Sequence, residues 1–226
     1  MLFGRKGGRH RVSGRKKSMA AIRDLFVTRL YEDSLASAPD FEGFRAELEA
    51  GCRMLAAEDK AGRAWSRAHG YGGYTSYASL DDLISRATVF AVLKRRLDRH
   101  VAAFSAAVAF DLGRGGRLRL DSLWVSVLRK GAGHHGHIHP ASAVSGTFYV
   151  VAPRGAGALR LVDPRLAMMM AAPPRRAGAP SELASFVTRE PEVGTLLLWE
   201  SWLRHEVLPG TAAADRVSIS FNYAWS

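Results

Sequence analysis

Apolar residues in the first half of the chain recur at helical spacing. One stripe follows Asp40, whose side chain is of a type that caps helices, and it consists of Phe41, Phe44, Leu48, Cys52 and Leu55. A second stripe predicts a long helical region ending near Asp111, and its apolar residues are Leu83, Ala87, Phe90, Leu93, Leu97, Val101 and Phe104. Ser79 and Asp82 before it resemble a capping box, with Asp where Glu or Gln is usual. We expect both stripes to form part of the core.

The segments around these stripes have weaker patterns. Residues 19–34 predict an opening strand or turn, anchored by the apolar side chains of Leu25, Phe26, Val27 and Leu30. Residues 60–78 are rich in glycine and tyrosine and predict a loop.

The spacing changes from helical to strand-like after residue 116. Apolar segments predict strands at 118–128, 144–152, 158–162, 185–188, 194–199, 204–208 and 216–223. Residues 164–180 contain four prolines and predict a long loop. Helices followed by short strands indicate an α+β chain whose β part is a sandwich or small barrel.

Length and composition are those of one folded domain. The chain has 226 residues, of which 47% are hydrophobic, and this is enough for one sizeable core. We expect a single domain over residues 19–226, with a helical part at 19–116 and a β part at 117–226.

The net charge of +11 is concentrated at the N-terminus. Seven of the 32 lysines and arginines fall within residues 1–18, a glycine-rich segment without any acidic residue. This composition predicts a disordered arm, or an extension that precedes a true start at Met19. An arm that binds nucleic acid is the functional alternative. Because the rest of the chain is nearly balanced in charge, we do not expect a nucleic-acid partner.

Cysteine content and hydropathy limit the setting of the protein. Cys52 is the single cysteine, so neither an internal disulfide nor a cysteine-rich zinc site can form. No apolar run approaches the roughly 18–20 residues that cross a bilayer, and no secretory pattern is visible. We expect a reduced, cytoplasmic protein without a membrane partner.

Histidines supply the candidate metal ligands. His137 and His139 are two residues apart, so a strand would direct both imidazoles to one face, and Pro140 would end that strand. His205, which follows about 65 residues later beside an apolar strand, is the strongest candidate for a third ligand. A histidine-rich surface segment is the alternative.

Arg216 indicates an anionic ligand. Pro209 and Gly210 predict a turn that would place Arg216 opposite His205 on a neighbouring strand. The last strand alternates between polar residues (Arg216, Ser218, Ser220, Asn222) and apolar ones (Val217, Ile219, Phe221, Tyr223). A buried arginine needs an anion. We expect either an internal ion pair with Glu206 or Asp215, or a dicarboxylic acid that reaches the metal with one end and Arg216 and Ser218 with the other.

Several short motifs together resemble a known family. They are His137-Ile138-His139-Pro140, Ser145-Gly146 with Tyr149, Asp163-Pro164-Arg165, Ser201-Trp202-Leu203-Arg204-His205, and Arg216-Val217-Ser218-Ile219-Ser220-Phe221-Asn222. The set resembles a bacterial and phage branch of the 2-oxoglutarate/iron(II)-dependent oxygenases, over roughly residues 22–225. The resemblance implies a double-stranded β-helix (a jelly-roll, cupin-like barrel) with the N-terminal helices packed on one sheet. It also implies iron(II), dioxygen, and oxidative decarboxylation of 2-oxoglutarate to succinate, with an unidentified substrate.

The motifs depart from the superfamily pattern at one position. The usual ligand set is two histidines and one carboxylate, and here His139 stands where the carboxylate is expected. Either three histidines hold the iron, or a carboxylate such as Asp163 replaces His139; we favour three histidines. Candidates for lining the site are Trp124, Tyr149, Trp199, Trp202 and Asn222.

Two other classes of function compete with the oxygenase. A cupin-type three-histidine metalloenzyme would need the same ligands but has no use for Arg216. A non-enzymatic barrel that holds a metal or an anion is the other class. A metallohydrolase fits less well, because the Asp-His pair that such sites use does not follow His139. A homodimer is left open.

Overall fold

The computed structural model describes residues 21–226, so residues 1–18 and Met19, on which the arm and start-site predictions rest, lie outside the described residues. Four α-helices lie in the first half of the described chain. They are α1 (Phe41–Glu58), α2 (Lys60–Ala68), α3 (Leu83–Arg86) and α4 (Thr88–Ala107).

Ten strands are found in the described part of the chain, most of them after α4. They are β1 (Tyr31–Ser34), β2 (Gly73–Thr75), β3 (Leu118–Leu128), β4 (His134–His137), β5 (Val144–Val151), β6 (Leu159–Val162), β7 (Phe186–Arg189), β8 (Thr195–Glu200), β9 (His205–Val207) and β10 (Arg216–Trp225). Each of the seven strands predicted after residue 116 is present, with ends that differ by up to two residues.

The strands form two antiparallel sheets. One sheet has six strands in the order β1-β8-β5-β10-β3-β2, and the other has four in the order β4-β9-β6-β7. Side chains from both sheets line one cavity, so the sheets face each other across it.

The helices cover the outer face of the six-stranded sheet. Helices α1 and α4 contact β3, and α1 also contacts β5. The main core forms where their predicted stripes meet the alternate residues of the strands, such as Val217, Ile219 and Phe221 of β10. All five stripe residues of α1 are buried, as are all those of the second stripe except the partly buried Ala87. A smaller cluster fills the space between the sheets: Tyr149, Leu159, Leu161, Leu197, Trp199 and Leu203.

Three predictions about the N-terminal half were wrong. Residues 60–78 are not a loop, because α2 and β2 form within them. The predicted capping box is absent, since the Ser79 hydroxyl donates to Asp59 instead. The long helix is broken at Ala87, whose backbone is extended (φ −151°, ψ 139°). Local side-chain patterns could not show this break, because the apolar stripe continues across it.

The opening segment also differs from the prediction. Leu25, Phe26 and Val27 are exposed and do not anchor a strand, whereas Leu30 packs on the smaller core cluster. The strand begins only at Tyr31, where β1 pairs with β8. Within the described residues, no helix is both long and apolar enough to cross a membrane.

Candidate metal and cosubstrate site

Three histidines meet at one end of the four-stranded sheet. His137 is the last residue of β4 and pairs with His205, the first residue of β9. His139 lies just beyond β4, and one ring nitrogen from each of the three histidines lies within 4.8 Å of the others. Among residues 21–226, this group contains no carboxylate. The arrangement can hold one metal ion on three imidazoles.

The neighbouring backbone orients two of these rings. The Nδ1 of His137 bonds to the carbonyl oxygen of His135 at 2.7 Å, and that of His205 bonds to the carbonyl oxygen of Leu203 at 2.9 Å. A carbonyl only accepts, so both Nδ1 atoms carry the proton and both Nε2 atoms keep a free lone pair. Metal-bound histidines generally show this arrangement.

Burial keeps the imidazoles neutral. It lowers the pKa of His205 to about 3 and that of His139 to about 4, and it also lowers the pKa of His137. Because a metal binds the neutral ring, the site does not have to lose protons at neutral pH in order to be occupied.

His139 reaches the cluster by a route that the sequence did not predict. The alternation of a strand was expected to align it with His137, but β4 ends at His137. The backbone N–H of His139 donates instead to the carbonyl oxygen of Ser201, at 2.9 Å, in the turn that follows β8. The ring is therefore positioned by a contact between two loops.

Arg216 lies in the same cavity as the histidines, and it is buried with only 4% of its surface exposed. Its Nε has no hydrogen-bond partner among the described residues, and the guanidinium lies 4.9 Å from the centre of the Tyr149 ring. Neither expected ion pair forms: Glu206 binds Arg160 at 2.7 Å, and no carboxylate between residues 21 and 226 lies within ion-pair distance of Arg216.

The predicted hairpin between His205 and Arg216 was wrong. In β10, Arg216 pairs with Leu128 of β3, whereas His205 belongs to the opposite sheet. The two side chains nevertheless line the same cavity, because the sheets face each other. The polar and apolar faces of β10 were predicted correctly.

Most of the other predicted lining residues also lie at the cavity. Trp124, Trp199 and Ser218 line it, while Tyr149 contacts it through Arg216. The Nδ2 of Asn222 lies 3.4 Å from the Nδ1 of His139. The hydroxyl of Tyr149 and the Nε1 of Trp199 are buried without a partner in the described structure. Buried polar atoms are rarely left so, and this indicates room for a polar ligand.

Asp163 does not join the site. Its carboxylate accepts hydrogen bonds from the guanidinium of Arg165 at 2.8 and 3.0 Å, and it lines a different cavity. Trp202, another predicted lining residue, is 44% exposed and is not part of the lining.

The lining residues that sequence reasoning missed include three whose side chains can form hydrogen bonds in the cavity. They are Tyr71, Ser126 and His134. The centre of the His134 ring lies 4.3 Å from the centre of the His137 ring and 5.5 Å from that of the Tyr71 ring. The dense histidine run was a signal for His134. Tyr71 had no such signal, because it comes from the turn between α2 and β2.

The segment that carries these residues matches a known family. Residues 122–222 match the model of the family described as "Putative 2OG-Fe(II) oxygenase", and they contain the three histidines and Arg216. In this segment the chain is similar to the 2OG-Fe(II) oxygenases. None of the curated proteins matches the chain in sequence.

Solved structures share the fold. A prolyl-4-hydroxylase from Pseudomonas putida has a TM-score of 0.55 at 17% identity, over 87% of this chain and 92% of that chain. The non-heme α-ketoglutarate-dependent epimerase SnoN, from nogalamycin biosynthesis, has a TM-score of 0.57 at 17% identity, over 87% of this chain and 77% of that one. HygX from Streptomyces hygroscopicus, solved with iron bound, has a TM-score of 0.54 at 15% identity, over 88% of this chain and 82% of that one. The α+β, double-stranded β-helix expectation is confirmed.

Proposed function

We propose that His137, His139 and His205 hold iron(II) and that Arg216 binds the distal carboxylate of 2-oxoglutarate, in an oxygenase whose substrate is a separate molecule. One observation carries the proposal. A permanently charged guanidinium is buried without a carboxylate partner among the described residues, in the same cavity as the three imidazoles. A buried charge of this kind is costly unless an anion joins it.

The donor set fits iron(II). Three neutral imidazoles on one face of an octahedral ion leave three positions open, and imidazole nitrogen is a good ligand for iron. Because none of the three ligands is anionic, the ion keeps its full charge of +2, which favours an anionic bidentate ligand. Zinc fits the same nitrogens, so the metal in a purified sample must be measured.

The part of the cavity around Arg216 fits a carboxylate. Arg216 can donate two parallel hydrogen bonds to one carboxylate, and the hydroxyl of Ser218, on the same face of β10, can donate a third. The hydroxyl of Tyr149, beside the guanidinium and without a partner, is a further donor. Burial raises the pKa of Tyr149, so this hydroxyl keeps its proton.

The bound group supplies the chemistry: iron(II), 2-oxoglutarate and dioxygen together give succinate, carbon dioxide and an oxidised substrate. The protein holds and orients these reactants and excludes water. The indole of Trp199 packs against the His205 ring with 4.7 Å between ring centres, and Trp124 lies 5.8 Å from His139. Both aromatic side chains are buried and pack beside the histidines.

The test is turnover of 2-oxoglutarate by iron-loaded protein in the presence of oxygen. Slow formation of succinate is expected even without the substrate. Arg216→Ala should raise the KM for 2-oxoglutarate by roughly two to four orders of magnitude, because losing one side of a buried charged pair costs roughly 3–5 kcal/mol. His205→Ala should remove iron binding. Arg189→Ala is the matched control, since Arg189 pairs with Glu32 outside the cavity.

The same experiment separates the competing functions. A three-histidine metalloenzyme that does not use 2-oxoglutarate would bind iron but neither bind nor consume the keto acid. A metal- or anion-binding barrel without activity would bind 2-oxoglutarate without forming succinate. Either result with iron-occupied protein contradicts the proposal.

We also propose that the helical and β parts form one domain, because a single core cluster contains residues from both. The cytoplasmic location and the homodimer stay proposals as well. The buried, unpaired Cys52 supports the first, and the elution volume of the purified protein on size exclusion tests the second.

A further inference from the structure

Four polar side chains form a hydrogen-bonded network that reaches His139 through Asn222; they are Ser122, Ser145, Ser201 and Asn222. The Ser145 hydroxyl donates to the Oδ1 of Asn222 at 2.7 Å and lies 2.8 Å from the Ser201 hydroxyl. The Nδ2 of Asn222 donates to the Ser122 hydroxyl at 3.0 Å and lies 3.4 Å from the Nδ1 of His139. Asn222 and Ser145 are each at most 5% exposed. Asn222 is therefore the group that connects three strands to the ring of His139.

The orientation of the Asn222 amide decides which ring nitrogen of His139 carries the proton. With Nδ2 facing the ring, the amide donates and the Nδ1 of His139 accepts, so the neutral ring carries its proton on Nε2. A protonated Nε2 cannot bind a metal. His137 and His205 have the opposite tautomer, since their Nδ1 atoms donate to carbonyl oxygens.

We propose that Asn222 is a positioning residue for the third metal ligand, and that its amide turns by 180° when the metal binds. In the turned state its Oδ1 accepts from the Nδ1–H of His139, which leaves the Nε2 of His139 free for the ion. The inference rests on the proposed metal site. The Oδ1 of Asn222 then accepts a hydrogen bond from His139, as backbone carbonyl oxygens accept from His137 and His205.

The network can accept this rotation without losing the contacts seen here. Hydroxyl groups both donate and accept. After the turn, Nδ2 donates to the Ser145 hydroxyl, which in turn donates to Ser201, and the Ser122 hydroxyl donates to Oδ1. The exchanged atoms occupy the same positions, so no side chain has to move aside.

The sharpest test is the tautomer of His139, measured by NMR on protein with ¹⁵N-labelled histidine at pH 8, with zinc(II) as a diamagnetic probe. We expect the proton on Nε2 in the metal-free wild type and on Nδ1 once zinc binds. In Asn222→Asp both side-chain oxygens can only accept, so whichever of them faces the ring, the proton of His139 should lie on Nδ1 even without metal. The proposal is overturned if zinc-bound His139 keeps its proton on Nε2, or if metal-free Asn222→Asp matches the metal-free wild type.

Zinc affinity gives a second, independent measurement. Asn222→Leu should weaken zinc binding by about 10–100-fold, the usual effect of losing a hydrogen bond behind a metal ligand. Tyr223→Phe is the matched control: it removes another partly buried hydrogen bond of β10, the 2.8 Å bond to Asp98, on the face away from His139. Zinc should bind this variant as it binds the wild type.

The outcomes separate the inference from the proposed function. A folded Asn222→Leu protein that binds zinc as tightly as the wild type overturns the role of Asn222 alone. A wild type that binds neither zinc nor iron(II) overturns the metal site and the role of Asn222 together. If Asn222→Leu does not fold, the tautomers of the wild type and of Asn222→Asp still decide the question.

Discussion

At position 146 of β5 the structure has no room for a side chain. A Cβ built on Gly146 would lie 2.5 Å from the Cζ of Phe221 and 2.7 Å from the carbonyl oxygen of Leu197. Gly146 also lines the cavity. Strands β5, β8 and β10 approach closely at this residue, and together they form this part of the cavity wall. The conformational freedom of glycine is not needed here, but its size is.

We expect Gly146→Ala to lower the free energy of unfolding by about 1–3 kcal/mol, the usual cost of overpacking a core. Urea denaturation measures this. Gly43→Ala is the control, because Gly43 lies in α1 with open space around it, and alanine there should stabilise the protein by about 0.5–1 kcal/mol. Equal midpoints for the two variants would contradict the steric argument.

Asp59 connects three elements of the helical half. Its carboxylate accepts hydrogen bonds from the backbone N–H of Gly62 at 2.8 Å, from the hydroxyl of Tyr74 at 3.0 Å and from that of Ser79 at 2.6 Å. It therefore caps α2 and attaches this helix to β2 and to the turn before α3. Burial by itself would raise the pKa of Asp59, but the hydrogen bonds outweigh it and the pKa is lowered.

We expect Asp59→Ala to lower the free energy of unfolding by about 2 kcal/mol at neutral pH, at the upper end for a lost N-cap because two hydroxyl groups also lose their acceptor. Since the pKa is lower in the folded state, the contribution of Asp59 is present above its ordinary pKa and is lost as the pH falls through the folded value. Urea midpoints of wild type and variant should therefore converge in acid.

Asp40→Ala is the matched control for this prediction. Asp40 precedes α1 but makes no capping hydrogen bond, and its carboxylate pairs with Arg96 at the surface. Asp40→Ala should therefore lower the free energy of unfolding by about 0.5 kcal/mol or less. A loss as large as that of Asp59→Ala would show that the position before a helix matters more than the hydrogen bonds made there.

The molecule as a whole places four neutral histidines around one cavity. Besides the three candidate ligands, burial lowers the pKa of His134 to about 4. In the unfolded chain these rings titrate near their ordinary value of about 6.5. At a pH between this ordinary pKa and the lower pKa values of the folded protein, the unfolded chain binds more protons than the folded protein.

We therefore expect the metal-free protein to lose stability as the pH falls from about 6.5 towards 4, and to be insensitive to these histidines above pH 7. The thermal midpoint measured in the presence of a chelator should show this. His134→Asn removes one of the four groups without changing a candidate ligand, and its midpoint should fall less steeply. A midpoint that falls equally in both proteins would contradict the contribution of His134.

Much of the fold could be predicted because its causes are local. The stripes of α1 and α4 and the alternation of Val217, Ile219 and Phe221 in β10 reflect periodicities that any helix or strand imposes on its side chains. Helix α2 was missed, and its N-cap residue Asp59 makes contacts that sequence spacing does not show, one of them with Ser79, 20 positions away. The break at Ala87 could not be predicted either, because the apolar stripe continues across it.

The sequence by itself determined the candidate residues for the proposed chemistry: His137, His139, His205 and Arg216 were chosen by residue type and spacing. How they meet was decided only by the tertiary structure. Strand pairing is settled by the packing of the two sheets as wholes, so β9 and β10, although neighbours in the chain, joined different sheets. For this reason Arg216 faces the cavity from the sheet opposite His205, and Asn222 comes within reach of a ring 83 residues away.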